Sequence, residues 1–327
     1  MNNAPLFTLL GVSVTPYMLL IMASAALCLW LSYVHMNRAG VPRITLRVFL
    51  WLAVPLGVIC SRVGYGLVYL PDTLDDPLRL LHLMENGYVL YGAALGVALA
   101  GWLAARAGKG VRALRLYDIL APIAALMIAA ARLLEGFVGL GYSFYTDNPA
   151  LWFFPICVYD SYWETWALAL FVLEALYALC IALVLWRSRS PAGSGDKTLL
   201  LVFLYAVMQI WFESLRRDAY ARIGFIRVMQ LVSAILAGIV LLIWLVRTGR
   251  GALVVLIRFA AYLALLGVVM LMEFAVEYKV GFLLDLHQRW QLTQTSHYML
   301  CYGVMLMAVL AALALGLRAR SRAKMSP

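Results

Sequence analysis

Charge is what this sequence has least of. Asp, Glu, Lys and Arg make up 13% of its 327 residues, about half the share found in an ordinary soluble domain, and that excludes a water-exposed globule. Cysteine is sparse too. Cys28, Cys60, Cys157, Cys180 and Cys301 are scattered without the spacing of a metal or redox site, and most lie in apolar runs where a thiol is a small hydrophobe. The histidines, His35, His82, His287 and His297, also lack metal-ligand spacing, so neither a metal nor any other cofactor is expected. No basic stretch precedes the first apolar run, and that run is long enough to remain as a helix, so a cleaved leader is not expected. Internal repeats and a water-soluble domain are absent as well.

What fills the chain is apolar sequence, 65% of the residues with a mean hydropathy of +0.90, in stretches long enough to span a bilayer. The pattern predicts an all-α polytopic membrane protein with nine spans. Their approximate ranges are 17–33, 48–70, 87–105, 117–138, 161–186, 199–216, 227–246, 253–273 and 297–317. The net charge of +10 is parcelled into short loops, so it reads as a topology signal and not as a nucleic-acid surface. Arg38, Arg43 and Arg47 follow the first span, and Arg106, Lys109, Arg112 and Arg115 the third. The stretch 187–197 follows the fifth, and Arg318, Arg320, Arg322 and Lys324 the ninth. The positive-inside rule places these in the cytoplasm, with the N-terminus exoplasmic and the C-terminus cytoplasmic. The expected division is a core over residues 1–250 and an accessory helix pair with a basic tail over 251–327. Glu273, Glu277 and Lys279 then end the eighth span on the exoplasmic side.

The few intramembrane polar groups are costly to place in lipid, and such residues default to a functional-site hypothesis. In the sixth span Tyr205, Gln209, Glu213 and Arg216 fall near one helical stripe. Tyr17 opens the first span. Arg62, Tyr65 and Tyr69 lie late in the second, Tyr88 and Tyr91 open the third, and Arg132 and Glu135 lie one turn apart late in the fourth. Asp160, Ser161 and Glu164 are read as opening the fifth. Glu174 is the exception, placed in the cytoplasmic half. The one-sided clustering predicts a pocket on the exoplasmic side. Arginines beside tyrosines suit a lipid phosphate, since guanidinium binds phosphate through two bonds and a phenol donates a third. The competing readings are an interfacial aromatic belt with ordinary ion pairs, and a Glu213–Arg216 pair closed on itself at the membrane edge.

Ordered along the chain, these segments resemble those of the bacterial phosphatidylglycerol–prolipoprotein diacylglyceryl transferases over about residues 10–247. Cys60-Ser61-Arg62-Val63-Gly64-Tyr65 resembles the family's Gly-Ala-Arg-x-x-Tyr. Glu85-Asn86-Gly87-Tyr88-Val89-Leu90-Tyr91-Gly92 falls where the family has Gly-Gly-Leu-Ser-x-His-Gly-Gly. Leu116-Tyr117-Asp118-Ile119-Leu120-Ala121-Pro122 is similar to Leu-x-Asp-x-x-Ala-Pro, and Ser161-Tyr162-Trp163-Glu164 to Gln-Leu-Tyr-Glu. Glu213-Ser214-Leu215-Arg216 with Asp218 resembles Glu-Phe-Phe-Arg-x-Pro-Asp, continued by Gly224-Phe225 and Gln230-Leu231. The sequence departs where the family's histidine is Tyr91, where an arginine is Gln209, and where an asparagine is Glu135; its later glutamate position holds Leu140.

The resemblance implies a seven-helix core in a bacterial plasma membrane that moves a diacylglyceryl group from phosphatidylglycerol to a lipobox cysteine. Phosphatidylglycerol or another anionic phospholipid, the membrane and a prolipoprotein signal peptide are the implied partners, with no nucleic acid. A thiolate nucleophile and cations on the departing phosphate are the chemical requirements. Arg132 and Arg62 are expected to hold the phosphate, with Arg216 aligned by Glu213. A phenol titrates near 10, far above a histidine, so Tyr91 reads as a donor to lipid, which leaves Glu135 or Glu213 as the base. Tyr17, Tyr65, Tyr88, Ser161, Glu164, Tyr205 and Gln209 complete the expected lipid contacts. Two alternatives stand beside this: a phospholipid-dependent transferase with another acceptor, and a non-catalytic phospholipid-binding relative.

Overall fold

The computed structural model describes residues 3–9, 12–81, 87–108, 110–188, 194–218, 221–249, 251–278 and 294–325. The expectations for His82, Glu85, Asn86, Lys109, Lys279 and His287 fall outside these residues. Two short strands, β1 (Phe7–Leu9) and β2 (Val12–Val14), precede the helices α1 (Pro16–Arg38), α2 (Arg43–Val68), α3 (Leu70–Asp75), α4 (Leu90–Ala107) and α5 (Ala113–Leu134). A small sheet follows, of β3 (Tyr142–Tyr145), β4 (Cys157–Asp160) and β5 (Thr165–Ala169). The helices α6 (Leu170–Arg187) and α7 (Asp196–Leu215) come next, then a hairpin of β6 (Arg222–Ile223) and β7 (Ile226–Arg227). The chain continues through α8 (Val228–Arg247), α9 (Ala252–Tyr278) and α10 (Gln294–Met325).

Among the described residues nine helices are long and apolar enough to cross a membrane, all but the short α3. This is a mostly helical multi-pass membrane protein, with seven such helices through α8 and two more in α9 and α10. Helix α1 begins as its sequence dictates. The Thr15 hydroxyl accepts from the Met18 N–H at 3.3 Å, and Pro16 at the first position has no N–H to leave unpaired.

The chain forms two compact units, and the divisions between them fall after Val138 and inside α6 and α7. The N-terminal unit comprises Asn2–Val138 and Ala175–Leu201. Its core packs Met36, Phe49, Ala53, Ala100, Ala104, Leu116 and Ile123. Glycines let α2 and α4 run against each other. A Cβ at Gly96 would sit 2.1 Å from the Leu56 carbonyl oxygen, so only glycine permits this approach, the small-residue mode of membrane helix packing. The carboxylate of Asp118 on α5 caps α7, accepting from the N–H of Gly195, Lys197 and Thr198 at 2.9 to 3.2 Å. An anion there satisfies otherwise unpaired donors and complements the helix dipole.

The C-terminal unit comprises Gly139–Glu174 and Val202–Pro327, so α9 and α10 belong to the same compact unit as most of α7 and all of α8. The Trp211 indole donates to the Tyr302 carbonyl at 3.0 Å, and the Tyr262 hydroxyl to the Ala234 carbonyl at 2.7 Å. In the small sheet β5 is central, antiparallel to both β3 and β4, over a core of Tyr142, Val158, Ala167, Ala169 and Phe171.

The sheet corrects one expectation. The fifth span starts at Leu170, not at Ser161, because 161–164 form the turn between β4 and β5 and residues 165–169 are strand. A continuous apolar run hides the change of period, and strand and helix cannot be told apart in it by periodicity alone.

Candidate functional site

In the N-terminal unit, Arg62 is drawn out of solvent by two kinds of contact. It is 3% exposed; its Nε donates to the Leu80 carbonyl at 3.3 Å and its Nη1 to the Gly87 carbonyl at 2.9 Å. Tyr65 and Tyr88 place their rings 5.7 and 5.4 Å from its guanidinium carbon, within cation–π range. Gly87 has φ +133°, and a Cβ there would lie 2.5 Å from Arg62 Nη1, so the backbone bends in a way that glycine alone tolerates, and this brings its carbonyl to the arginine. Arg62, Tyr65, Asp72, Thr73 and Leu80 line a small recess.

Arg132 closes α5, and its Nη1 donates to Glu135 Oε1 at 2.6 Å. Glu135 and Tyr88 are in turn close enough to act electrostatically on the Tyr17 phenol. Two groups of polar side chains therefore stand in this unit, Arg62 with Tyr65 and Tyr88, and Arg132 with Glu135, with Tyr17 at the start of α1. Tyr91 is the second residue of α4 and half-buried.

In the C-terminal unit, Arg216 follows α7 and is 2% exposed. Two of its nitrogens meet Glu174, Nε to Oε1 at 2.9 Å and Nη2 to Oε2 at 2.5 Å. A third, Nη1, meets Asp218 Oδ2 at 3.1 Å. This overturns two expectations. Arg216 is aligned by Glu174 and Asp218, whereas Glu213 accepts from Gln209 Nε2 at 2.8 Å. Arg216 lies just past Leu215, the last residue of α7, and its guanidinium reaches Glu174 on α6. Glu174 is also not isolated from the other charged groups of its own unit. With α6 starting at Leu170, it sits in the first turns of that helix, beside Arg216.

Asp218 also accepts from the Gly141 N–H through both oxygens, at 3.2 and 3.0 Å, and the Ser143 hydroxyl donates to the Leu215 carbonyl at 2.8 Å. The end of α7 is thereby stitched to β3. Arg227, at the start of α8, donates to the carbonyl oxygens of Arg216 and Asp218. Burial pulls its guanidinium below the usual range, while Glu213 pushes the other way. Tyr205 is buried on α7.

Ser161 and Glu164 lie in the exposed β4–β5 turn, Glu164 with φ 51°. Tyr162 and Trp163 between them are 81% and 64% exposed, as suits interfacial aromatics. In the same sheet Tyr145 donates to Asp160 Oδ2 at 3.2 Å. Burial, then the Asp160 charge, pushes its phenol above the usual range.

Sequence reasoning missed Arg227 and the role of Glu174. Both had a signal, an ionisable residue beside an apolar run, but their partners become visible only when α6 and α8 are placed.

The helices and these buried arginine–carboxylate clusters define the class, a multi-pass membrane protein with charged groups held at the ends of its spans. The comparison with known proteins then fixes the family. The prolipoprotein diacylglyceryl transferase family matches residues 5–246, and the chain belongs to it.

Among curated relatives, the chain is similar to the phosphatidylglycerol–prolipoprotein diacylglyceryl transferase of Geobacillus kaustophilus, 28% identical over 68% of this chain and 84% of that protein. It is similar to the enzyme of that name from Gloeobacter violaceus, at 29% over 71% of this chain and 87% of that protein. It is also similar to the one from Neisseria gonorrhoeae, at 30% over 50% and 65%. Both clusters fall within the family-matched residues; α9 and α10 lie beyond them.

Proposed function

We propose that the chain transfers the diacylglyceryl group of phosphatidylglycerol to the thiol of a prolipoprotein lipobox cysteine, in a bacterial plasma membrane with its N-terminus exoplasmic and its C-terminus cytoplasmic. In this reaction the cysteine sulfur attacks the glyceryl carbon that bears the phosphate. The carbon–oxygen bond breaks, and glycerol phosphate leaves with the electron pair. The observation that carries the reading is the buried Arg132–Glu135 pair, in a segment that matches the family.

The guanidiniums of Arg132 and Arg62 suit a phosphodiester whose charge grows as the bond breaks. A phosphate that takes Arg132 draws it from Glu135 and leaves that carboxylate as a base for the thiol proton. Tyr91 donates to lipid, as do Tyr65 and Tyr88. Arg216 and Glu213 act within the C-terminal unit, where Tyr205, Gln209, Ser161 and Glu164 add polar contacts. Departures at Tyr91 and Gln209 favour a second reading, a transferase with the same lipid donor and a different acceptor.

Expression in a bacterium depleted of its own transferase tests the assignment. Restored diacylglyceryl modification of lipoproteins is the expected result. Unmodified prolipoprotein beside correctly inserted protein overturns the lipobox acceptor.

A further inference from the structure

Helix α9 lies outside the family-matched residues, yet its Glu273 enters the polar interior of the C-terminal unit. Ser214 and Gln230 are its close polar neighbours, and Arg227 and Arg222 act on it from further off. Four acceptor atoms of this region, Gln209 Oε1, Glu213 Oε2, Gln230 Oε1 and Glu273 Oε2, are buried with no hydrogen-bond partner. Gln209, Glu213 and Gln230 are 0%, 2% and 5% exposed. Their donors are already engaged. Gln209 Nε2 meets Glu213 at 2.8 Å, and Gln230 Nε2 meets the Ser214 hydroxyl at 2.9 Å and the Ile210 carbonyl at 3.2 Å.

The charges are unequal as well. Arg216 is paired with Glu174 and Asp218, and Arg227 donates to backbone carbonyls, while Glu213 and Glu273 bring two further carboxylates. A buried acceptor left unmatched is costly, and more so when it is charged. Such a patch favours a guest that supplies N–H or O–H groups.

We propose that Gln209, Glu213, Gln230 and Glu273 form a binding site for a phospholipid headgroup that carries hydrogen-bond donors, either an ammonium or hydroxyls, with Glu273 as the specificity-determining residue. The site meets the surface at Glu273, which is only partly buried. One turn further on, Glu277 is exposed and pairs with Arg222 at 3.1 Å. The proposal concerns binding within this unit and does not require transfer.

The test is lipid retention. The full-length protein is equilibrated with mixed vesicles of phosphatidylglycerol, phosphatidylethanolamine and phosphatidylmethanol of identical acyl chains, and the lipid retained on purification is quantified by mass spectrometry. Phosphatidylmethanol keeps the phosphodiester but has neither hydroxyl nor ammonium. The expected result is retention of at least one donor-bearing lipid over phosphatidylmethanol by about tenfold, the size of one hydrogen bond to a charged group. Which lipid is retained tells hydroxyl from ammonium. Glu273→Leu should bring the ratio to within about twofold of unity on the same scale, and Glu277→Gln should leave it as in wild type. Should Glu273→Leu fail to fold, Glu273→Gln, which keeps the shape and loses the charge, should lower the ratio severalfold. Equal retention of all three lipids, or a preference untouched by Glu273→Gln and Glu273→Leu, overturns the proposal. The proposal rests on the reading of this chain as a phospholipid-using transferase, and thioether formation, measured separately, tells its failure from the failure of that reading.

Discussion

Arg216 and Glu174 are joined by two nearly parallel hydrogen bonds, at 2.9 and 2.5 Å, with side chains 0% and 1% exposed. Removing one partner of such a pair strands a buried charge, at a cost of about 3–5 kcal/mol. Glu174→Ala and Arg216→Ala should each lower stability by about that amount in detergent unfolding. The double replacement Glu174→Met with Arg216→Met should cost less than the sum of the single ones, because neither Glu174 nor Arg216 is then left as a buried charge without the other. Additive losses would mean that the two groups act independently.

Asp118 should behave as a capping residue. Its carboxylate holds the first backbone N–H groups of α7 and the Thr198 hydroxyl, so Asp118→Ala should destabilise by about 1–2 kcal/mol. Asp118→Asn, which keeps one acceptor oxygen, should lose less. Unfolding midpoints at fixed detergent compare the three proteins, and equal loss in both variants would rule out capping as the cause.

Two glycines at the contact between α2 and α4 make a controlled comparison. A methyl at Gly96 would lie 2.1 Å from a backbone oxygen, whereas one at Gly57 would meet the Val97 side chain at 3.6 Å and the Ala93 carbonyl oxygen at 3.9 Å, both ordinary contacts. Gly96→Ala should cost about 1–3 kcal/mol through overpacking, and Gly57→Ala a few tenths at most. Similar unfolding midpoints for the two variants would contradict the close approach.

These relationships differ in how far they could be read in advance. The nine spans follow from runs of apolar residues and from basic loops, and the helices recover them because hydropathy alone decides which segments cross lipid. Arg62, Tyr65, Tyr88, Arg132 and Glu135 were visible as costly residues at one end of their spans. The partner of Arg216 was not. It depends on α6 beginning at Leu170, which a strand inside an apolar run conceals. The place of Glu273 was hidden differently: on a linear map α9 reads as an accessory helix, and only packing within the C-terminal unit brings that residue to Ser214 and Gln230.

Arg132 is where the functional account is most exposed. Its Nη1 holds Glu135 at 2.6 Å, and a lysine there would still neutralise that carboxylate while losing the planar fork that grips a phosphate. The measurement is glycerol phosphate released from phosphatidylglycerol with a lipobox peptide as acceptor, for wild type and Arg132→Lys at equal folded amounts. The account predicts a fall of about tenfold or more, equivalent to about 1.4 kcal/mol of transition-state stabilisation. Equal release from the two proteins would contradict it and leave Arg132 as a structural partner of Glu135.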